Sequence, residues 1–411
     1  MTVPTEEAHV HEAIEQPLAA AGGRVTARIE EIRIQNFRAL QDVRLSLQDL
    51  TFLVGRNGAG KSSILDAVEF MREAVTDSLP NALARRDGFA GVYRQQATVG
   101  KPLGIAVVMR IDLLGRLVRV LYGFRILPKG PELDLEERLS VAPETSLGFV
   151  RLGDEFRSGV LPSVPSLAAD RLALPLVASD QLWGIVLERI AQMRSYAISP
   201  TAVAAPTPIM SSTNLTPNGS NAGDVLNDIN RRPAAAHRVV ETLQAVLPGV
   251  LGVRSDVSLG RRIISISQDL GNSQREFNAG QVSQGTLRSL GILLALHQQP
   301  QPSLVLIDEV EDSIHPRALQ AIIEAAEVCT GRFPVVMTTH SPEVLSARQV
   351  TTDRLHIVQW DNGASDLYAL SEGTSESVDR ITTVGDLLRI NALWPGESPE
   401  RVRGDLLELE E

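Results

Sequence analysis

The chain has 411 residues, 43 % of them hydrophobic, enough to bury a sizeable core in about two to three domain-sized units. A formal net charge of −11 excludes a protein coated in nucleic acid through bulk charge, so any DNA contact is expected from a local patch. The single cysteine, Cys329, excludes an internal disulfide, and no run of about 18 apolar residues or basic-then-apolar start marks a membrane span or secretion signal; the expected location is cytoplasmic.

Residues 1–25 lack periodicity and read as a mobile tail, in which His9 and His11 are solvated rather than metal ligands. From Val25 the pattern alternates through Ala27 and Ile29, slips phase once to Ile32 and Ile34, and alternates again at Val43, Leu45 and Leu47, which predicts two strands. A third short strand, LTFLVG, runs into GRNGAGKSS, where Gly55 to Ser63 satisfies G-x-x-x-x-G-K-[ST], a P-loop. With only three lysines in the chain (Lys61, Lys101 and Lys129), a chance match is remote. The expected ATP-binding residues are Asn57, Gly58, Ala59, Gly60, Lys61, Ser62 and Ser63: glycines turn backbone N–H groups toward the phosphates, Lys61 adds a point charge, and the Ser62 hydroxyl reaches Mg²⁺. Ile64, Leu65, Val68 and Met71 then recur at helical spacing.

Residues 76–100 are polar and turn-rich. GIAVVMRIDLL, RLVRVLYGFRIL, LDLEERLSV and LGFVRLGDEF read as antiparallel sheet, and QLWGIVLERIAQMRSY as one helix. A Pro/Ser/Thr/Asn-rich loop over 201–224 precedes helix broken at Pro233 and a hairpin turning near Gly260. No heptad pattern persists between Lys61 and Ser283, which excludes a long coiled-coil arm.

Three further motifs carry chemistry. S-Q-G-T, Ser283 to Thr286, opens a strongly apolar helix. SLVLIDEVED reads as a buried strand delivering Asp308 and Glu309 at its C-terminal end, with Asp308 holding Mg²⁺ beside Ser62 and Glu309 activating water as general base. FPVVMTTHSPEVLS gives another apolar strand that ends in Thr339, His340 and Ser341.

N-F-R-x-L, the P-loop, S-x-G-T, D-E and T-H-S-P occur in that order, with E-x-x-x-H-P after the acidic strand and YAISP, N-G-S-N-A-G-D-V-L and VGDLLRINALW elsewhere. Together they resemble bacterial RecF-like ATPases with an AAA-type core, within the SMC/RecF class of ABC-type ATPases. The resemblance implies an α/β P-loop NTPase fold of ABC/RecF type: a mixed sheet flanked by helices, with an antiparallel β subdomain and a helical insertion. It implies Arg38 near the nucleotide, Gln95 or Gln96 as the glutamine that senses metal and water, and His340 on the γ-phosphate. Ser283 and Gly285 would contact the γ-phosphate bound by a second copy, in a homodimer that sandwiches ATP. His315 is assigned a helix-start role.

The expected division is a tail over 1–25, the first part of the ATPase core over 26–100, antiparallel sheet and helical insertion over 101–280, a second ATPase lobe over 281–395, and an acidic tail over 396–411. The expected function is a Mg²⁺-dependent ATPase that dimerises on ATP, in DNA maintenance or repair or as the ATPase of an antiviral defence pair. A regulatory ATP-binding protein that switches a protein partner without DNA is the alternative, and a transporter motor is disfavoured. Arg85, Arg86, Arg231, Arg232, Arg261 and Arg262 are the paired candidates for a DNA patch. Relatives often carry a Toprim nuclease domain after the ATPase, and too few residues follow His340 for one, so a nuclease is expected as a separate partner chain.

Overall fold

The computed structural model describes residues 26–409 apart from 99, 114, 130–131, 159–167, 169, 211–212 and 381–382. The tail read over 1–25, with His9 and His11, lies outside them. Strand β1 (Thr26–Phe37) absorbs the phase slip as a register shift between Ile29 and Glu31, so that Ile29, Ile32 and Ile34 all reach the same core. It pairs antiparallel with β2 (Leu40–Ser46), and the fully buried β3 (Leu50–Val54) leads into the P-loop.

Around β3 the sheet is parallel. On one side lie β15 (Val335–Thr339), β14 (Leu304–Ile307) and β9 (Met193–Tyr196); on the other lies β16 (Leu355–Asp361), hairpinned to β17 (Ala364–Tyr368). β17 meets β2, and beyond β1 the strands β4 (Leu103–Leu113), β5 (Arg116–Lys129), β6 (Glu132–Ala142), β7 (Phe149–Leu152) and β8 (Glu155–Ser158) continue antiparallel. All thirteen form one mixed sheet.

Because side chains alternate along a strand, the parallel half feeds two cores. Leu53, Leu304, Leu306 and Val336 join the core beneath the helices Lys61–Thr76 and Gln181–Ala191. Phe52, Val54, Val305, Ile307 and Met337 join the opposite core, with the helices Gln284–His297 and Pro316–Thr330. The strand C-terminal ends of β3, β14 and β15 therefore emerge side by side between two layers of helix, where the candidate site forms.

The stretch 101–280 divides among three places. β4–β8 extend the central sheet, β9 lies within it, and β10 (Thr207–Pro208), β11 (Val250–Ser258), β12 (Arg261–Asp269) and β13 (Gln274–Asn278) form a separate four-stranded sheet, with the helices Ala222–Asn230 and Pro233–Val246 also falling in this stretch. Met193–Tyr196, read as the end of a helix, is strand β9; the helix stops at Ala191. A short helix, Pro200–Ala204, occupies the start of the expected loop. At the C-terminus, Val402, Leu406 and Leu407 pack on Ala106, Val108 and Leu121, so the acidic segment straps the outer face of the antiparallel half. Arg125 clasps Asp405, and the buried Arg33 donates to the carbonyls of Leu406 and Glu408.

Candidate active site

Gly58 and Gly60 have φ of 79° and 106°, in the region that favours glycine, and let the loop between β3 and the helix Lys61–Thr76 close. A Cβ on Gly60 would sit 2.5 Å from Ser365 Oγ and 2.7 Å from its Cβ, and one on Gly55 only 2.3 Å from the Val358 carbonyl oxygen. The loop is therefore pressed against β16 and β17. Lys61, 5 % exposed, donates through Nζ to the carbonyls of Gly55 (2.6 Å) and Arg56 (3.1 Å). Burial lowers its pKa, and the carboxylates of Glu309, Asp308 and Glu311 oppose that shift. A buried ammonium facing carboxylates at a helix N-terminus with no acidic first turn is a receptor for anionic oxygens.

The structure brings the acidic strand to this loop. Ser62 Oγ donates to Asp308 Oδ2 at 2.9 Å, and Thr338 Oγ1 donates to Asp308 Oδ1 at 2.6 Å. The Asp308 N–H donates to the Tyr196 carbonyl at 2.8 Å, so the unforeseen β9 helps fix the carboxylate. Glu309 has φ of 45°, a left-handed conformation that costs a non-glycine residue about 1–3 kcal/mol unless its surroundings impose it. Here they do: its N–H donates to Thr338 Oγ1 (2.8 Å), and Arg288 Nη2 donates to the carbonyls of both Asp308 and Glu309 (2.8 Å each).

His340 sits at the end of β15 with its side chain 46 % exposed. Glu311 accepts from the His340 N–H at 2.7 Å and lies 3.0 Å from Nδ1, which leaves Nε2 to face outward from the pair. His315 caps the helix Pro316–Thr330, with Nδ1 accepting from the Arg317 N–H at 3.3 Å. A cleft of about 540 Å³ runs along the loop, and Asn57, His340, Val358, Trp360, Leu388 and Leu393 are among the residues that line it.

Ser283 caps the helix Gln284–His297 by accepting from the Thr286 N–H at 3.2 Å, and both Ser283 and Gln284 are exposed. A Cβ on Gly285 would lie 2.4 Å from the Ser313 carbonyl, so this glycine permits the helix to abut the turn after the acidic strand. Among the described residues no hydrogen bond or ion pair joins Ser283 or Gly285 to residues 55–63 of the same chain. Arg38, φ 51°, pairs with Asp66 at 3.0 Å on the first turns of the helix Lys61–Thr76. Gln95 is exposed, Gln96 lies against Gly363 at the β16–β17 turn, and neither bonds to Ser62 or Asp308.

Arg288, Thr338 and Glu311 were not singled out in the sequence. Thr338 and Glu311 stand two residues from His340 and Glu309, and Arg288 two residues after the S-Q-G-T motif, so proximity to a motif was the available signal. Of the paired arginines, Arg85, Arg86, Arg232 and Arg262 are engaged by Asp77, by Asp66 with Glu73, by Asp228 and by Asp224 respectively. Among the described residues no helix is long and apolar enough to cross a membrane.

A family model described as "AAA domain, putative AbiEii toxin, Type IV TA system" matches residues 50–346, well over half of the chain, and one described as "P-loop containing region of AAA domain" matches 27–71. An OLD nuclease of Thermus scotoductus is 43 % identical over 51 residues, which is 12 % of this chain and 10 % of that protein; the chain thus matches about a tenth of that relative's length. Two solved structures share the fold. An SmcHead bound to the C-winged helix domain of ScpA superposes with a TM-score of 0.54 at 13 % identity, over 85 % of this chain and 99 % of that one. An Smc head domain with an extended coiled coil, bound to the C-terminal domain of ScpA derived from Pyrococcus furiosus, does so with 0.53 at 12 % identity, over 86 % and 98 %. The chain belongs to the AAA-domain family described as a putative AbiEii toxin, a family of P-loop ATPases, and its fold is that of SMC head domains.

Proposed function

We propose that the chain hydrolyses ATP in a Mg²⁺-dependent reaction, at a site completed by a second copy. The observation that carries this reading is the 2.9 Å contact between Ser62 Oγ and the Asp308 carboxylate, which ties the phosphate loop to the acidic strand. A hydroxyl and a carboxylate set side by side are hard oxygen donors, so Ser62 and Asp308 would be the residues to hold Mg²⁺. Bound there, the ion would supply positive charge to offset that of the phosphates.

The chain's own residues do the rest. Backbone N–H groups from Asn57 to Ser63 receive the phosphates, and Lys61 exchanges its two carbonyl acceptors for phosphate oxygens. Glu309 orients water and takes its proton as the water attacks the γ-phosphorus and the bond to the β-phosphate oxygen breaks. His340, with Nδ1 held by Glu311, presents Nε2 to the transferred group. Arg38 lies on the helix side of the loop, suited to the nucleotide, and the exposed Ser283 with Gly285 is free to meet the γ-phosphate held by another copy.

Switching a protein effector is the use we favour for this engine. The matched family is described as a putative toxin and the short curated match is a nuclease, while four of the six paired arginines are already neutralised by carboxylates. Replacing Glu309 by Gln lowers ATP turnover by about 10²- to 10⁴-fold while ATP binding is retained. Phosphate release and equilibrium binding of ATP measure the two, and wild-type turnover in Glu309→Gln would remove the proposed base.

A further inference from the structure

Arg288 lies on the second turn of the helix Gln284–His297, 5 % exposed, just inside the exposed residues Ser283 and Gln284. Its guanidinium reaches out of that helix to two separate pieces of chain, Ile198 and the turn from Asp308 to Asp312. Nη1 donates to the Ile198 carbonyl beyond β9 and lies 3.3 Å from the Asp312 carboxylate; Nη2 donates at 2.8 Å to the carbonyls of both Asp308 and Glu309. The fork of guanidinium donors thus meets four acceptors, one more than the three N–H donors of a lysine ammonium can serve. Of the two residues whose carbonyls Nη2 holds, Glu309 has left-handed backbone, with φ of 45°.

We infer that Arg288 is a positioning residue for hydrolysis: it maintains the left-handed turn that sets the Glu309 carboxylate and couples that turn to the helix whose exposed start meets a second copy's nucleotide. Gly285, tight against the Ser313 carbonyl, gives the same helix a second point of contact with the loop that carries Asp312. The inference rests on the reading of Glu309 as the general base, and its test separates the two.

Turnover, KM and ATP affinity are measured for Glu309→Gln, Arg288→Lys, Asp312→Asn and the doubles of the last two with Glu309→Gln. Arg288→Lys is expected to lower kcat by roughly 10- to 100-fold, the scale of a misplaced reacting group, with KM and ATP affinity within about twofold of wild type. In the Glu309→Gln background the same change adds less than about a twofold loss, because Arg288 acts through that carboxylate; a generally weakened fold lowers both backgrounds alike. Asp312 is exposed, so Asp312→Asn leaves the fold intact and carries the same paired test, with a kcat loss of about three- to tenfold, if Arg288→Lys does not fold. Wild-type kcat in both single variants, or equal losses in both backgrounds, overturns the inference while leaving the base assignment standing. Wild-type turnover in Glu309→Gln overturns the base assignment instead.

Discussion

Asp308 is where the phosphate loop, the acidic strand and the neighbouring β15 meet, since Ser62 and Thr338 each donate to one of its oxygens and Tyr196 holds its N–H. Gly60 has the opposite kind of role, because what matters is what it lacks. At φ 106°, with Ser365 Cβ 2.7 Å from where a Cβ would be, Gly60→Ala is strained and also clashes, whereas Gly58 has open space around it and suffers only the backbone penalty. Gly60→Ala should destabilise the chain by about 2–4 kcal/mol and Gly58→Ala by about 1 kcal/mol. Urea unfolding compares them; equal midpoints would show that β17 does not press on the loop as described. Lys61, Ser62 and Asp308 were legible as candidates in the sequence because phosphate and metal chemistry demand those residue types at set spacings, and His340 through the family resemblance. Arg288, Thr338 and Glu311 were not, because each acts through a partner 20 to 30 residues away in the chain that only the fold brings near.

Elements with a strong period were legible too, down to the phase slip in β1 that became a register shift. β9 was hidden because Met-Arg-Ser-Tyr neither alternates nor starts after a turn signal, and it follows a helix by a single residue. β16 and β17 gave no motif, yet they join the parallel half of the sheet to the antiparallel half. The C-terminal strap was masked by its acidic residues, of which Glu400 pairs with His356, Asp405 with Arg125 and Glu408 with Arg138, while its Arg401 pairs with Asp366. Leu406 and Leu407 lie fully buried beneath them. Leu406→Ala should therefore lower stability by about 2–4 kcal/mol, read from a chemical unfolding midpoint. An unchanged midpoint would mean that the strap contributes nothing to the sheet it covers.

At the scale of the molecule, one thirteen-stranded sheet carries the P-loop, Asp308 and His340 on neighbouring strand ends, while Ser283 faces solvent with no bond to its own P-loop among the described residues. In the proposed reading, the P-loop and the helix start at Ser283 are the two halves of one composite site. Two copies would join them, with ATP as the bridge and hydrolysis as release. The most direct measurement is the mass of Glu309→Gln in solution by light scattering, with and without ATP and Mg²⁺, alongside the double variant Glu309→Gln with Ser283→Arg. The mass of one copy without ATP and of two with it, the second value lost in the Ser283→Arg variant while each copy still binds ATP, is the predicted result. A single-copy mass at saturating ATP, or a dimer indifferent to Ser283→Arg, would contradict it.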